Sequence, residues 1–133
     1  MWPEPVERIA VFLRAAGVQG RLEELPDGLD SPPGLTLHAH GFESDGRSLV
    51  ALVPRGRIVD RDKLANAAKT AGLRPGPAPP FPYQPARVLL DRSAFAARTV
   101  WLEVASPRYA LGLAPRQLAQ LSRSETADLL IDD

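Results

Sequence analysis

The chain has only two histidines, His38 and His40, two residues apart in the segment LHAHGF (37–42). Successive residues of a β-strand point to opposite faces, so this spacing puts both imidazoles on one face with Phe42 and leaves Leu37 and Ala39 on the other. Two imidazoles so placed can hydrogen-bond a ligand, act as a general base or supply two ligands to a metal. A metal needs a third ligand and none suggests itself, so neither a metal nor another cofactor is expected. The plainer reading is two polar residues on a half-exposed strand face. Ser106 is a candidate nucleophile, but it precedes Pro107 and has no evident paired base, which favours a turn-forming role. Cysteine is absent, which excludes thiol nucleophiles, disulfide scaffolds and cysteine-ligated metal sites.

Charge supplies a second kind of candidate. Sixteen basic residues balance sixteen acidic ones, so the net field does not point to a nucleic-acid partner. The distribution is uneven. Arg87, Arg92, Arg98, Arg108, Arg116 and Arg123 face only Asp91 and Glu103 within their stretch, and the sign reverses at Glu125, Asp128, Asp132 and Asp133. These arginines are either scattered and solvated, as is common on neutral domains, or one basic face that meets phosphates.

Elements must position these residues. At 133 residues, 44% hydrophobic and 24% charged, the chain reads as a single domain (1–133) of ordinary globular composition. No apolar run approaches the ~20 residues that span a bilayer, so no membrane partner is expected. The N-terminus lacks a basic region followed by an apolar stretch, so no signal peptide and a cytoplasmic location are expected. Val6, Ile9, Ala10, Leu13 and Ala16 mark an amphipathic helix over 5–16. Residues 20–25 read as a strand and 26–34 (PDGLDSPPG) as turns with no room for a helix. Strands over 35–42 and 48–53 flank the hairpin turn Asp45-Gly46. A short strand at 58–59 enters a helix over 61–71, capped by Asp60 and stopped by Gly72. Six prolines crowd residues 75–85, which excludes helix and central strand. Strands over 87–90, 99–104 and 109–113 and a helix over 115–121 complete the chain. The expected class is α+β, with a mixed, partly barrel-like sheet flanked by three helices.

The collinear segments AAGV (15–18), ELP (24–26), GFESDGRSLVALVP (41–54), RIVDRDKLANAA (57–68), GPAPPF (76–81), VLLDRS (88–93), LAPRQLAQL (113–121) and TADL (126–129) together carry a likeness. Over nearly its whole length the chain resembles the YbaK/EbsC family, the prolyl-tRNA-synthetase-associated domains that hydrolyse mischarged aminoacyl-tRNA. The resemblance implies a deacylase whose partners are the acceptor end of tRNA and an aminoacyl-tRNA synthetase. It also implies that a G-x-x-x-P loop, here Gly76, Pro77, Ala78, Pro79 and Pro80, offers main-chain groups to the substrate. Proline stiffening suits that task, because the groups are held in place at low entropic cost.

The chain departs from the family at several points. Where the family has a lysine in a V-K-S-L-V-F-like strand, this chain has His38, with His40 beside it. A histidine titrates near pH 6.5, so it is no permanent cation for phosphate, but it can hydrogen-bond or act as the general base. The turn after the tryptophan strand reads Ala105-Ser106-Pro107-Arg108 rather than a Gly-His type, which makes Ser106 and Arg108 candidate substrate contacts. An acidic position of some cysteinyl-tRNA-editing members is Ala110, and the family's second helix gives way to 26–34. A degenerate binding domain without hydrolysis, or a module that binds a protein partner, is the alternative.

Overall fold

The structure, a computed structural model, describes residues 2–25 and 34–132. The turn segment expected over 26–34 therefore lies, except for Gly34, outside the described residues. Helix α1 (Glu4–Ala15) opens with Pro5 in its first turn, where a missing N–H costs nothing, and buries Val6, Ile9 and Leu13. It is followed by β1 (Arg21–Glu24), β2 (Leu35–Ser44) and β3 (Arg47–Pro54). Helix α2 (Arg61–Ala68) starts at Asp60, whose carboxylate accepts the amides of Asp62 at 3.0 Å and Lys63 at 3.1 Å. Its end differs from the expected stop at Gly72. Lys69 already takes the left-handed conformation, and its amide returns to the carbonyls of Ala65 and Asn66.

Strand β4 (Arg74–Pro75) precedes the proline-rich loop, and β5 (Arg87–Asp91) leads into a 3-10 turn over Arg92–Ala96. Strands β6 (Val100–Val104) and β7 (Ser106–Leu113), helix α3 (Pro115–Ser122) and β8 (Glu125–Ala127) close the order. The expected strand at 58–59 is only a single bridge, Val59 to Leu130. Strand β7 begins three residues before the expected start, so Ser106 and Pro107 belong to the strand rather than to a free turn.

The sheet runs β1-β7-β6-β2-β3-β5-β8, with β4 attached beside β2. It is mixed: β2–β6, β3–β5 and β5–β8 are parallel, and the other pairs are antiparallel. Strand period divides the core cleanly. Val50, Leu52, Val88, Leu90, Leu102 and Leu111 pack beneath α1 and α3. Leu49, Ala51, Val53 and Leu89 pack beneath α2 with Leu64 and Ala68. Strands β3 and β5 are buried on both faces, which explains their unbroken apolar runs. Full burial of each such Leu or Val contributes roughly 1.5–3 kcal/mol. Among the described residues no helix is long and apolar enough to cross a membrane.

The proline-rich loop lies directly on β2 at Gly41. A Cβ at that residue would stand 2.6 Å from the Ala78 nitrogen and from the Pro77 carbonyl carbon, and closer still to the Gly76 oxygen. All three atoms are backbone, so no side chain can swing aside. Gly41→Ala is therefore expected to lift the loop and destabilise the domain by about 1–3 kcal/mol, the usual cost of overpacking. Chemical denaturation measures this; a midpoint equal to wild type would show that the loop has room to yield.

Candidate functional site

Strand β2 changes partners along one edge. Its ladder to β6 ends at Leu37 opposite Leu102, and its ladder to β4 begins at Phe42 opposite Pro75. Between them, among the described residues, no strand lies beside residues 38–41 on that side. The Gly41 carbonyl accepts the Gly76 amide at 3.0 Å, so it faces this edge. Alternate residues turn their backbone groups the same way, which places the amide and carbonyl of Ala39 at the same opening. A cavity of about 200 Å³ occupies the gap. Thr36 to Ala39, Arg55, Ala78 to Phe81, Tyr83 and Leu102 to Ala105 line it.

The cavity thus brings His38 together with Ala78, Pro79 and Pro80. Gly76 and Pro77 do not line it; they seat the loop over Gly41. His38 is exposed, whereas His40 is half-buried and packs edge-on against it, ring centroids 4.7 Å apart. Burial, and secondarily the neighbouring His38, push the His40 imidazole below its usual value, so it is held neutral. Among the described residues no three His, Cys, Asp or Glu side chains converge as a metal site.

Ser106 and Arg108, expected as substrate contacts, lie outside the lining. The Ser106 hydroxyl accepts the Arg108 amide at 3.3 Å, and the Arg108 guanidinium donates to Glu24 at 2.8 Å. Both are occupied within their own corner, where β7 pairs with β1. The corner does reach the cavity through Ala105, whose φ of +67° is a conformation that favours glycine. The expected arginine face is also partly neutralised: Arg87 pairs with Glu125, and Arg92 with Asp128. None of the six arginines lines the cavity. Nor is the cavity beneath the loop the main hollow. A groove of about 720 Å³ opens at the far end of the β2–β3 hairpin, because the loop packs down onto Gly41 and leaves little space there.

Among the lining residues that sequence reading missed, four carry polar side chains: Thr36, Arg55, Tyr83 and Glu103. Arg55 was legible: Ser44 faces Arg47 across the Asp45-Gly46 turn, and extending that register sets Arg55 opposite Thr36. The Arg55 amide indeed donates to the Thr36 carbonyl at 2.8 Å. Glu103 enters only because β6 lies parallel beside β2, a pairing between distant segments that leaves no local signal. Thr36 Oγ1 is buried without a hydrogen-bond partner among the described residues. Tyr83 is 4% exposed, and burial raises its hydroxyl well above the ordinary tyrosine range.

Two measurements test this geometry. Above pH 6.5 both the folded and unfolded chain hold His40 neutral; as pH falls, the unfolded chain takes the proton first, so stability declines toward the lowered folded value. Urea midpoints taken from pH 7.5 to 5 should fall in wild type and fall less in His40→Leu; identical slopes would show that the imidazole is not desolvated. Ala105→Gly should raise stability by about 0.5–1 kcal/mol by removing left-handed strain, read as a higher Tm with the sheet intact.

No protein-family profile matches the chain, and no curated protein sequence does. Solved structures do. A provisionally assigned trans-editing enzyme for prolyl-tRNA synthetase superposes at a TM-score of 0.84 with 18% identity, covering 99% of this chain and 100% of its own. The hypothetical protein APE2540 superposes at 0.79 with 14% identity, covering 93% and 99%. A provisionally assigned signal-transduction protein from Marinobacter aquaeolei reaches 0.70 at 17% identity, covering 92% of this chain but 31% of its own length. At such identities the likeness is one of fold, and the chain folds as a YbaK-like α+β domain.

Proposed function

We propose that this domain is an aminoacyl-tRNA deacylase that hydrolyses the ester linking a mischarged amino acid to the terminal ribose. One observation carries the reading: the stretch of β2 between its two partner strands and the proline-stiffened loop border a small cavity with His38 at its margin. An ester held there meets main-chain donors and acceptors already fixed in place, which is what a developing oxyanion requires. In the proposed step His38 takes a proton from water as the water oxygen bonds to the ester carbonyl carbon. The ester C–O bond then breaks, and the proton passes to the departing ribose oxygen. Glu103 lines the same space and offers a carboxylate to the ammonium group of an aminoacyl ester. A volume of about 200 Å³ has room for an aminoacyl group, since a smaller cavity of about 150 Å³ already admits a benzene ring. The fold shared with the provisionally assigned prolyl-tRNA-synthetase trans-editing enzyme supports the same substrate class.

A second reading, ligand binding without hydrolysis, draws on the setting of His38. Its ring contact is His40, and no carboxylate orients it among the described residues. A panel of mischarged tRNAs separates the two readings. Wild type should deacylate at least one mischarged tRNA of the panel faster than buffer alone. His38→Ala should lower that rate by about 10²–10⁴-fold, the usual contribution of a general base. Rates equal to buffer in wild type, His38→Ala and His38→Lys alike would leave binding alone.

A further inference from the structure

At the opposite end of β2 from the cavity, six residues or about 20 Å along the strand, the open groove of about 720 Å³ separates the β2–β3 hairpin from the end of α2. Arg47, Lys69 and Arg87 line it with Ser48, Thr70 and Asp45. Strand period explains why these distant residues meet. Arg47 is two residues before Leu49, so the two side chains share a face, and Leu49 lies beneath α2. Arg87 sits directly opposite Leu49 on β5, hence on that face too. Lys69 is the left-handed residue that ends α2.

The acceptors that could neutralise these cations are largely used. The Ala68 carbonyl accepts Arg87 at 2.5 Å, and the Ala71 carbonyl accepts the Ser44 hydroxyl at 2.7 Å. The Ala65 and Asn66 carbonyls are closed by the amides of Lys69 and Thr70. Arg87 pairs with Glu125, but neither Arg47 nor Lys69 has a carboxylate partner among the described residues. Asp45 is the one carboxylate of the lining. The groove's unused polar groups are therefore mainly donors and cations.

We infer that this groove holds the sugar–phosphate backbone of an RNA, gripped by Arg47 and Lys69 with Arg87 between strand and helix. Arg47 and Arg87 lie one pleat repeat (~7 Å) apart along the strands and one strand apart across them, rather than converging on a point. That spread fits successive phosphates of a chain rather than a single phosphate. The inference rests on the deacylase reading for its partner, a tRNA whose aminoacyl end would enter the cavity while its backbone crosses the groove.

The test is fluorescence anisotropy with an end-labelled, uncharged tRNA transcript between 25 and 200 mM salt. Each phosphate contact releases counterions, so log affinity falls with log salt by about 0.7–0.9 per contact. Arg47→Ala combined with Lys69→Asn removes both unpaired cations, and asparagine keeps the left-handed helix end. The double variant should bind at least about tenfold more weakly at low salt, with a slope shallower by about 1.4–1.8. Its kcat on mischarged tRNA should be unchanged and its KM raised. If it fails to fold, Arg47→Glu on the exposed hairpin repeats the measurement. An unchanged slope and affinity would overturn the groove, as would wild type binding anionic phosphatidylglycerol vesicles but not tRNA. Deacylation with a salt-insensitive KM would remove the groove and keep the hydrolase; tRNA binding with the predicted slope but no deacylation would do the reverse.

Discussion

Between Leu37 and Phe42 the backbone of β2 passes from one partner strand to another, and among the described residues no strand pairs with the four between on that edge. A buried strand edge without hydrogen bonds is costly, so something must cover it. Here the cover is the proline-rich loop, which rests on β2 so closely that only the missing side chain of Gly41 admits it. The loop need not be flexible to fit, because its prolines fix its shape in advance. The cavity is what remains where cover and edge do not quite meet. The proposed deacylase site depends on that incomplete closure.

The site that results is mainly a backbone site. Its side chains are few, and β2 offers an exposed imidazole beside a half-buried neutral one. Rigidity then matters more than any single functional group, and the surrounding ties supply it. Asp91, 1% exposed, accepts the Ser93 amide at 3.0 Å and the Leu129 amide at 2.8 Å, joining β5 to the C-terminal segment. Lys63 on α2 reaches Asp128 at 3.0 Å, Asp132 at 2.9 Å and the Leu130 carbonyl at 2.7 Å. These bonds fasten α2 over the face that carries both histidines. Two hydrophobic layers hold the sheet from either side, so β2 is held from both faces while one stretch of its edge stays open.

Charge shows how little a net total says about recognition. Sixteen charges of each sign cancel over the chain, yet pairing is not uniform. The acidic tail is spent on Lys63 and Arg92 through Asp128, and Glu24 and Glu125 take up Arg108 and Arg87. The arginine-rich stretch thereby loses much of its field. Cations without carboxylate partners among the described residues, Arg47 and Lys69, gather instead at the hairpin and at the end of α2, drawn from segments far apart in the chain.

Local chemistry was enough to locate most elements. The three- and four-residue spacing of Val6, Ile9 and Leu13 dictated α1, the Asp45-Gly46 turn dictated the hairpin and its register, and Asp60 dictated the start of α2. The alternation through His38, His40 and Phe42 gave the correct faces of β2. Features that arise between distant segments were not legible. The parallel contact of β2 with β6 brings Glu103 to the cavity, and the register of β3 with β5 brings Arg87 beneath α2. The last strand, β8, is only three residues long and exists because β5 offers it an edge. Spacing along a chain records which side chains share a face within one element. Which edges then meet is settled by packing energy summed over the whole core, and that sum decided where this chain keeps its opening.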